Sequence, residues 1–145
     1  MSTHPLAVFS TAPGRGGLFL DFDGTLSDIA STPEGAVPRP GVPDLLCELH
    51  QCLGRVAIVS GRPVAYLAPH IPESVDIVGL YGLEWRSEGR HHTLREAEEW
   101  RPLIQELTDE APPILLNRAD HVVEGPAGAQ SLLEELVGLV ASASG

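Results

Sequence analysis

The sequence predicts a single-domain α/β fold with a largely parallel sheet, and three observations predict it. Short apolar runs alternate with amphipathic helical stretches, the pattern of strands connected through helices. Two of those runs stop abruptly in polar loops containing Gly, as strands do where a parallel sheet meets a ligand. A chain of 145 residues with 43% hydrophobic content can bury one core and has little room for a second full domain.

Taken in order, residues 1–17 are rich in Ser, Thr, Pro and Gly and read as a flexible N-terminal lead. They carry no basic stretch followed by a sustained apolar core, so no secretory signal is expected. Gly17 to Leu20 (GLFL) reads as a short buried strand that feeds Asp21-Phe22-Asp23-Gly24-Thr25. Ala30 to Pro43 holds four prolines and two glycines, an irregular connector. Val42, Leu45, Leu46, Leu49 and Leu53 fall at helical spacing, with Gly54 as the stop.

Arg55 to Val59 (RVAIV) is β-branched and apolar, a second buried strand of the parallel type. It ends in Ser60-Gly61-Arg62, and Pro63 suits the first position of a helix. Ile77 to Tyr81 is a third strand, and residues 82–94 suggest a hairpin around Gly89. Ala97, Trp100, Ile104, Leu107 and Ala111 trace one helical face. A Pro-broken segment with strand-like ILL and HVV follows, and a last amphipathic helix is expected over about residues 129–141.

Composition narrows the function. All nine basic residues are arginines, there is no lysine, and 20 acidic residues bring the net charge to −11. That balance argues against nucleic-acid or anionic-membrane partners, which require a basic footprint. The missing lysine removes Schiff-base chemistry and a Walker-type phosphate clamp. No run approaches the ~18 apolar residues of a membrane span. Cys47 and Cys52 lie in one expected helix, neither a CxxC pair nor a disulfide framework, and read as buried thiols. A cytoplasmic location and a small-molecule partner are the expectation.

The sharpest chemical signal is Asp21-Phe22-Asp23-Gly24-Thr25 directly after an apolar strand. Residues i and i+2 of extended chain face the same way, so both carboxylates can point into one site. Such a pair can divide the work between an ionised nucleophile or metal ligand and a proton carrier. Gly24 lets the chain turn, and Thr25 adds a hydroxyl and a backbone donor for an anion. The second signal is Ser60-Gly61-Arg62-Pro63, where a hydroxyl and a small residue at a helix start can bind phosphate. An ordinary N-cap is the bland alternative.

The strings LFLDFDGTLSDI (Leu18–Ile29), VAIVSGRP and YGLEWR together resemble the haloacid dehalogenase superfamily of phosphatases, and within it the trehalose-6-phosphate phosphatase family. Ala119 to Leu136 is similar to that family's C-terminal end. The resemblance implies a three-layer Rossmann-like haloacid dehalogenase core over residues 18–141 with the cap domain mostly absent. Residues 90–112 would be a remnant approaching the cap, 113–141 the final strand and helix, and 142–145 a tail.

The implied activity is Mg²⁺-dependent release of phosphate from trehalose 6-phosphate through an aspartyl-phosphate. Asp21 would be the nucleophile and Asp23 the general acid and base. Asp21 and Asp23 would hold Mg²⁺. Gly24, Thr25, Ser60, Gly61 and Arg62 would bind the phosphate, with Glu84 and Arg86 as further site residues.

The chain departs from the family in having no lysine and no GDxxxD string, and in its length. These departures imply an internally shortened member and weak turnover or none. Two alternatives stay open: a non-catalytic module, and a related phosphatase acting on another small phosphate ester. Arg118 and Asp120 could stand in for a missing cation and metal ligand, but a pair of surface loop charges is the favoured reading.

Overall fold

In the computed structural model the described residues are 6–94, 119 and 121–143. Five strands form one sheet in the order β1 (Gly17–Leu20), β2 (Arg55–Val59), β3 (Asp76–Gly79), β4 (Glu84–Ser87) and β5 (Arg90–Thr93). The first three are parallel and the last two return antiparallel as a hairpin. The helices are α1 (Ala7–Thr11), α2 (Val42–Cys52), α3 (Val64–Leu67) and α4 (Gly125–Ala143).

Each parallel connection follows from its residues. α2 starts where Gly41, at φ 87°, turns the chain in a conformation glycine adopts without strain, and Pro43 fits the first turn. Its apolar stripe buries Val42, Leu46 and Leu49, and Leu53 closes the end by donating to the Leu49 carbonyl. Ile58 and Ile77 lie side by side in the ladder and are fully buried on the helix-bearing face. Phe22, Leu46, Leu67, Leu133, Leu136 and Val140 complete that core.

The C-terminal helix is fastened to the irregular connector by polar contacts as well. Arg39 Nε donates to Gln130 Oε1 at 3.0 Å, and its Nη1 reaches both oxygens of Asp28 at 3.0 Å. Gln130 Nε2 in turn donates to the Pro40 carbonyl at 3.0 Å.

Several expectations require correction. The lead contains α1 and a 3₁₀ turn over Pro13–Arg15, and Leu6 and Phe9 pack on the core because α1 lies against α4. Strand β3 stops at Gly79, two residues early, because Leu80 and Tyr81 take positive φ. The last helix starts at Gly125, and His121 to Val123 form no strand; Val122 is 59% exposed. The stretch 96–111 and the ILL segment lie outside the described residues.

β1 is the most informative departure. GLFL reads as a buried strand, yet among the described residues it is the sheet's edge, with Phe19 62% exposed. Leu18 and Leu20 pack on the core while Phe19 points to the opposite face, so only half of its apolar side is used. The α/β class stands. The described helices α2, α3 and α4 share one core on one face of the sheet, so two of the three expected layers are seen.

Candidate active site

The parallel register brings the two sequence signals to one edge. Leu20 pairs with Ile58 and Val59 with Val78, so Asp21, Ser60 and Leu80 all leave the sheet at its C-terminal end. Beyond β1 the loop closes on itself: the Phe22 carbonyl accepts from the N–H groups of Thr25, Leu26 and Ser27, and Gly24 N–H donates to the Ser27 carbonyl. Gly24 sits at φ 76°, a turn that any side chain would strain. Phe22 and Leu26 are fully buried beneath, which anchors the two aspartates flanking Phe22 at the rim.

Asp23 and Arg62 form the site's central contact. Arg62 Nη2 donates to Asp23 Oδ1 at 2.6 Å and Nε donates to Oδ2 at 2.7 Å, a two-pronged fork. Nη1 donates to the Pro33 carbonyl at 2.6 Å. The guanidinium carbon lies 4.4 Å from the centre of the Tyr66 ring, within cation–π range. The Tyr66 hydroxyl donates to the Ala36 carbonyl at 2.7 Å and so fixes the ring. The hydrogen bond to Asp23 pushes the Arg62 pKa above its ordinary value against the opposing effect of burial.

Ser60 is buried, and its Oγ accepts the Arg62 N–H at 3.1 Å, leaving its hydroxyl proton to donate elsewhere. The end of α3 is not an open anion site. Glu84, 2% exposed, accepts the Val64 N–H at 2.5 Å, so a carboxylate of the chain already complements the first turn. His91 Nε2 lies 3.5 Å from the other Glu84 oxygen. Of the expected cradle donors, Gly24 and Thr25 spend their N–H groups inside the loop.

Arg86 sits away from this edge. It pairs with Ile77 in the ladder, two residues further into the sheet than Glu84. Its Nη2 donates to the carbonyls of Pro72 at 2.7 Å, Val75 at 3.1 Å and Ile71 at 3.2 Å, which ties down the α3–β3 connection. Burial pushes its pKa below the ordinary value. Its place is under the fold, and Glu84 joins the site only as a support of the Ser60–Val64 segment.

Tyr81 is the neighbour that sequence reasoning missed. Leu80 and Tyr81 adopt φ 47° and 55°, followed by Gly82 at 98°. Such backbone persists in non-glycine residues only where the surroundings over-determine it. Here Leu80 N–H donates to the Arg62 carbonyl at 3.1 Å and Tyr81 N–H to the Ser60 carbonyl at 3.2 Å. The phenol is thereby laid on Gly61, where an added Cβ would meet the Tyr81 hydroxyl oxygen at 2.6 Å. The only signal in the sequence was Gly82 just after an apolar run.

Among the described residues no group of three or more His, Cys, Asp or Glu gathers as a metal site. The donor set fits Mg²⁺, which keeps several waters and is commonly bound through one or two carboxylates plus substrate phosphate. Among the described residues the Asp23 carbonyl takes none of the loop's backbone hydrogen bonds. No described helix is long and apolar enough to cross a membrane.

The trehalose-phosphatase family profile matches residues 19–111. A probable trehalose-phosphate phosphatase of Sinorhizobium fredii is 38% identical over 105 residues, covering 70% of this chain and 40% of that protein. The trehalose-phosphate phosphatase of Mycobacterium leprae is 38% identical over 104 residues, 67% of this chain and 24% of that one. The chain therefore spans well under half the length of these relatives.

Among solved structures, an Aspergillus fumigatus trehalose-6-phosphate phosphatase superposes with TM-score 0.54 at 25% identity, over 70% of this chain and 40% of that one. The C-terminal domain of the Candida albicans trehalose-6-phosphate phosphatase gives TM-score 0.57 at 22% identity, over 70% and 37%, and supports the fold. The matched stretch runs through Asp21, Asp23 and the Ser60–Arg62 loop at the sheet edge, and on it the chain belongs to the trehalose-phosphatase family.

Proposed function

We propose that the chain is a Mg²⁺-dependent sugar-phosphate phosphatase of the haloacid dehalogenase type with trehalose 6-phosphate as its leading substrate. The observation that carries this reading is the convergence of Asp21, Asp23 and the Ser60–Arg62 loop at one sheet edge, within the stretch that matches the family. In this reading residues 18–141 are the phosphatase core without most of a cap. The segment 90–112 is the approach to that cap, 113–141 is the core's closing portion, and the protein works in the cytoplasm.

The chemistry follows from the residues. The Asp21 carboxylate attacks phosphorus, the bond from phosphorus to the sugar oxygen breaks, and Asp23 delivers a proton to that oxygen. Water then attacks the aspartyl-phosphate, Asp23 takes the water's proton, and phosphate leaves with Asp21 restored. Ser60 Oγ–H, Gly61 N–H and the Thr25 hydroxyl are the donors for the phosphoryl oxygens. Mg²⁺, when held by the Asp21 carboxylate and the Asp23 carbonyl, offsets the repulsion between a dianionic ester and a chain of net charge −11.

Without a lysine, the site lacks one strong cation, and turnover is slow. Loss of a single transition-state donor costs about 2.7–4 kcal/mol in other hydrolases. The test is phosphate release by the purified full chain with Mg²⁺ across a panel of sugar phosphates. Trehalose 6-phosphate should be cleaved fastest, and chelation should stop release. Faster cleavage of an unrelated ester would assign a different substrate. A second reading, a phosphate-binding module without turnover, draws support from the edge position of β1 among the described residues, since β1 carries the nucleophile candidate at its end. Phosphate binding without release from any ester would select it.

A further inference from the structure

Both carboxylate oxygens of Asp23, the proton carrier of the proposed reaction, are engaged by Arg62. Three of the five guanidinium N–H groups of Arg62 are engaged, two on Asp23 and one on the Pro33 carbonyl. The fork covers both Asp23 oxygens, so Asp23 cannot hand a proton to a leaving group while it is in place. Arg62 is also the cation best matched to a phosphate, since a guanidinium binds phosphoryl oxygens in the same two-pronged way as a carboxylate.

The backbone sharpens this competition. An arriving phosphate finds the N–H groups of Gly24 and Thr25 turned into the loop and that of Val64 taken by Glu84. Its strongest remaining donor is the guanidinium, which lies over the Tyr66 ring and is partly exposed. The Tyr66 ring is fixed by its hydrogen bond to Ala36, so the guanidinium can slide across that face without losing its cation–π partner. Asp21 belongs to the same short loop as Asp23, two residues earlier.

We propose that Arg62 is an exchange latch, holding Asp23 until phosphate binds and then passing to the phosphate, which frees Asp23 for proton transfer. Arg62 is thus a positioning residue for Asp23 and a ligand for phosphate in turn. The inference rests on the phosphatase reading for the location of the phosphate, while its test needs only binding.

The experiment is calorimetric titration of the full chain with inorganic phosphate in the presence of Mg²⁺. It compares the wild type, Asp23→Asn, Arg62→Gln and the double variant. With its competitor removed, Asp23→Asn should bind phosphate about tenfold more tightly, and Arg62→Gln about tenfold more weakly, each the scale of one charge-assisted contact. In the Arg62→Gln background, adding Asp23→Asn should change affinity less than about threefold.

An equal gain with and without Arg62 would mean simple charge repulsion and overturn the latch. So would unchanged affinity in Arg62→Gln, or no phosphate binding by either the wild type or Asp23→Asn. Asp23→Ala, which removes the acceptor entirely, must reproduce the gain, and unchanged circular dichroism certifies that each variant is folded. Absence of turnover with the binding cycle intact would sink the phosphatase reading and leave the latch standing. Turnover without the coupling would do the reverse.

Discussion

Arg62 at the sheet's C-terminal edge and Arg86 beneath the α3–β3 connection put the same side chain to opposite uses. Arg62 faces a partly exposed carboxylate, and its charge is favoured there. Arg86 is buried among neutral backbone carbonyls, and its charge is disfavoured. The first is replaceable as structure and positioned to exchange partners. The second satisfies carbonyls that are buried or partly buried, so its loss leaves several of them unpaired. Charge alone therefore does not mark a functional residue in this chain; partner type and exposure do.

The largest expected effect tests the buried side. Arg86→Met should cost about 3 kcal/mol, since several charge-assisted hydrogen bonds vanish and their acceptors stay buried. A urea titration reads this directly, and a loss below ~1 kcal/mol would remove the contrast. Next comes Gly79→Ala, where a Cβ would meet the Arg62 carbonyl at 2.8 Å and the Val64 nitrogen at 2.9 Å. Both are backbone atoms, so the Ser60–Val64 segment must shift, at about 1–3 kcal/mol of stability. Weaker phosphate binding in the same variant would show that the segment belongs to the site.

Arg62→Met should cost at most about 1 kcal/mol, because a partly exposed ion pair contributes little to folding. Its folded pKa is raised, so whatever it contributes is fully present below the ordinary guanidinium range and is lost only at higher pH. Salt is the practical lever: 1 M NaCl should abolish the stability difference between wild type and Arg62→Met, while the Arg86→Met deficit persists. The smallest effect is Phe19→Ser on the exposed face of β1, within about 0.5 kcal/mol by thermal melting. A larger loss would reveal a partner for that face.

Much of the fold was legible because it is local. β2 over Arg55–Val59, α2 over Val42–Cys52 and the hairpin around Gly89 each follow from a period and a stop signal within one segment. The Asp21–Thr25 loop was legible for the same reason, with both aspartates and the glycine turn inside five residues. What the sequence could not display is pairing at a distance. Glu84 finds Val64 twenty residues earlier, Arg86 finds Pro72, and Arg62 finds Asp23 thirty-nine residues back. Strand order is of this kind too, so GLFL read as buried although it ends the sheet among the described residues. His121 to Val123 show the converse, a strand-like run that pairs with no strand among the described residues.

The account stands most directly on Asp21. In a single-turnover assay of the full chain with Mg²⁺ and excess protein over trehalose 6-phosphate, the wild type should release phosphate slowly and Asp21→Asn should release none. Asp23→Asn should release it far more slowly than the wild type, since the leaving sugar oxygen then departs unprotonated. Phosphate release by Asp21→Asn at the wild-type rate would contradict the assignment of this edge as the reacting centre.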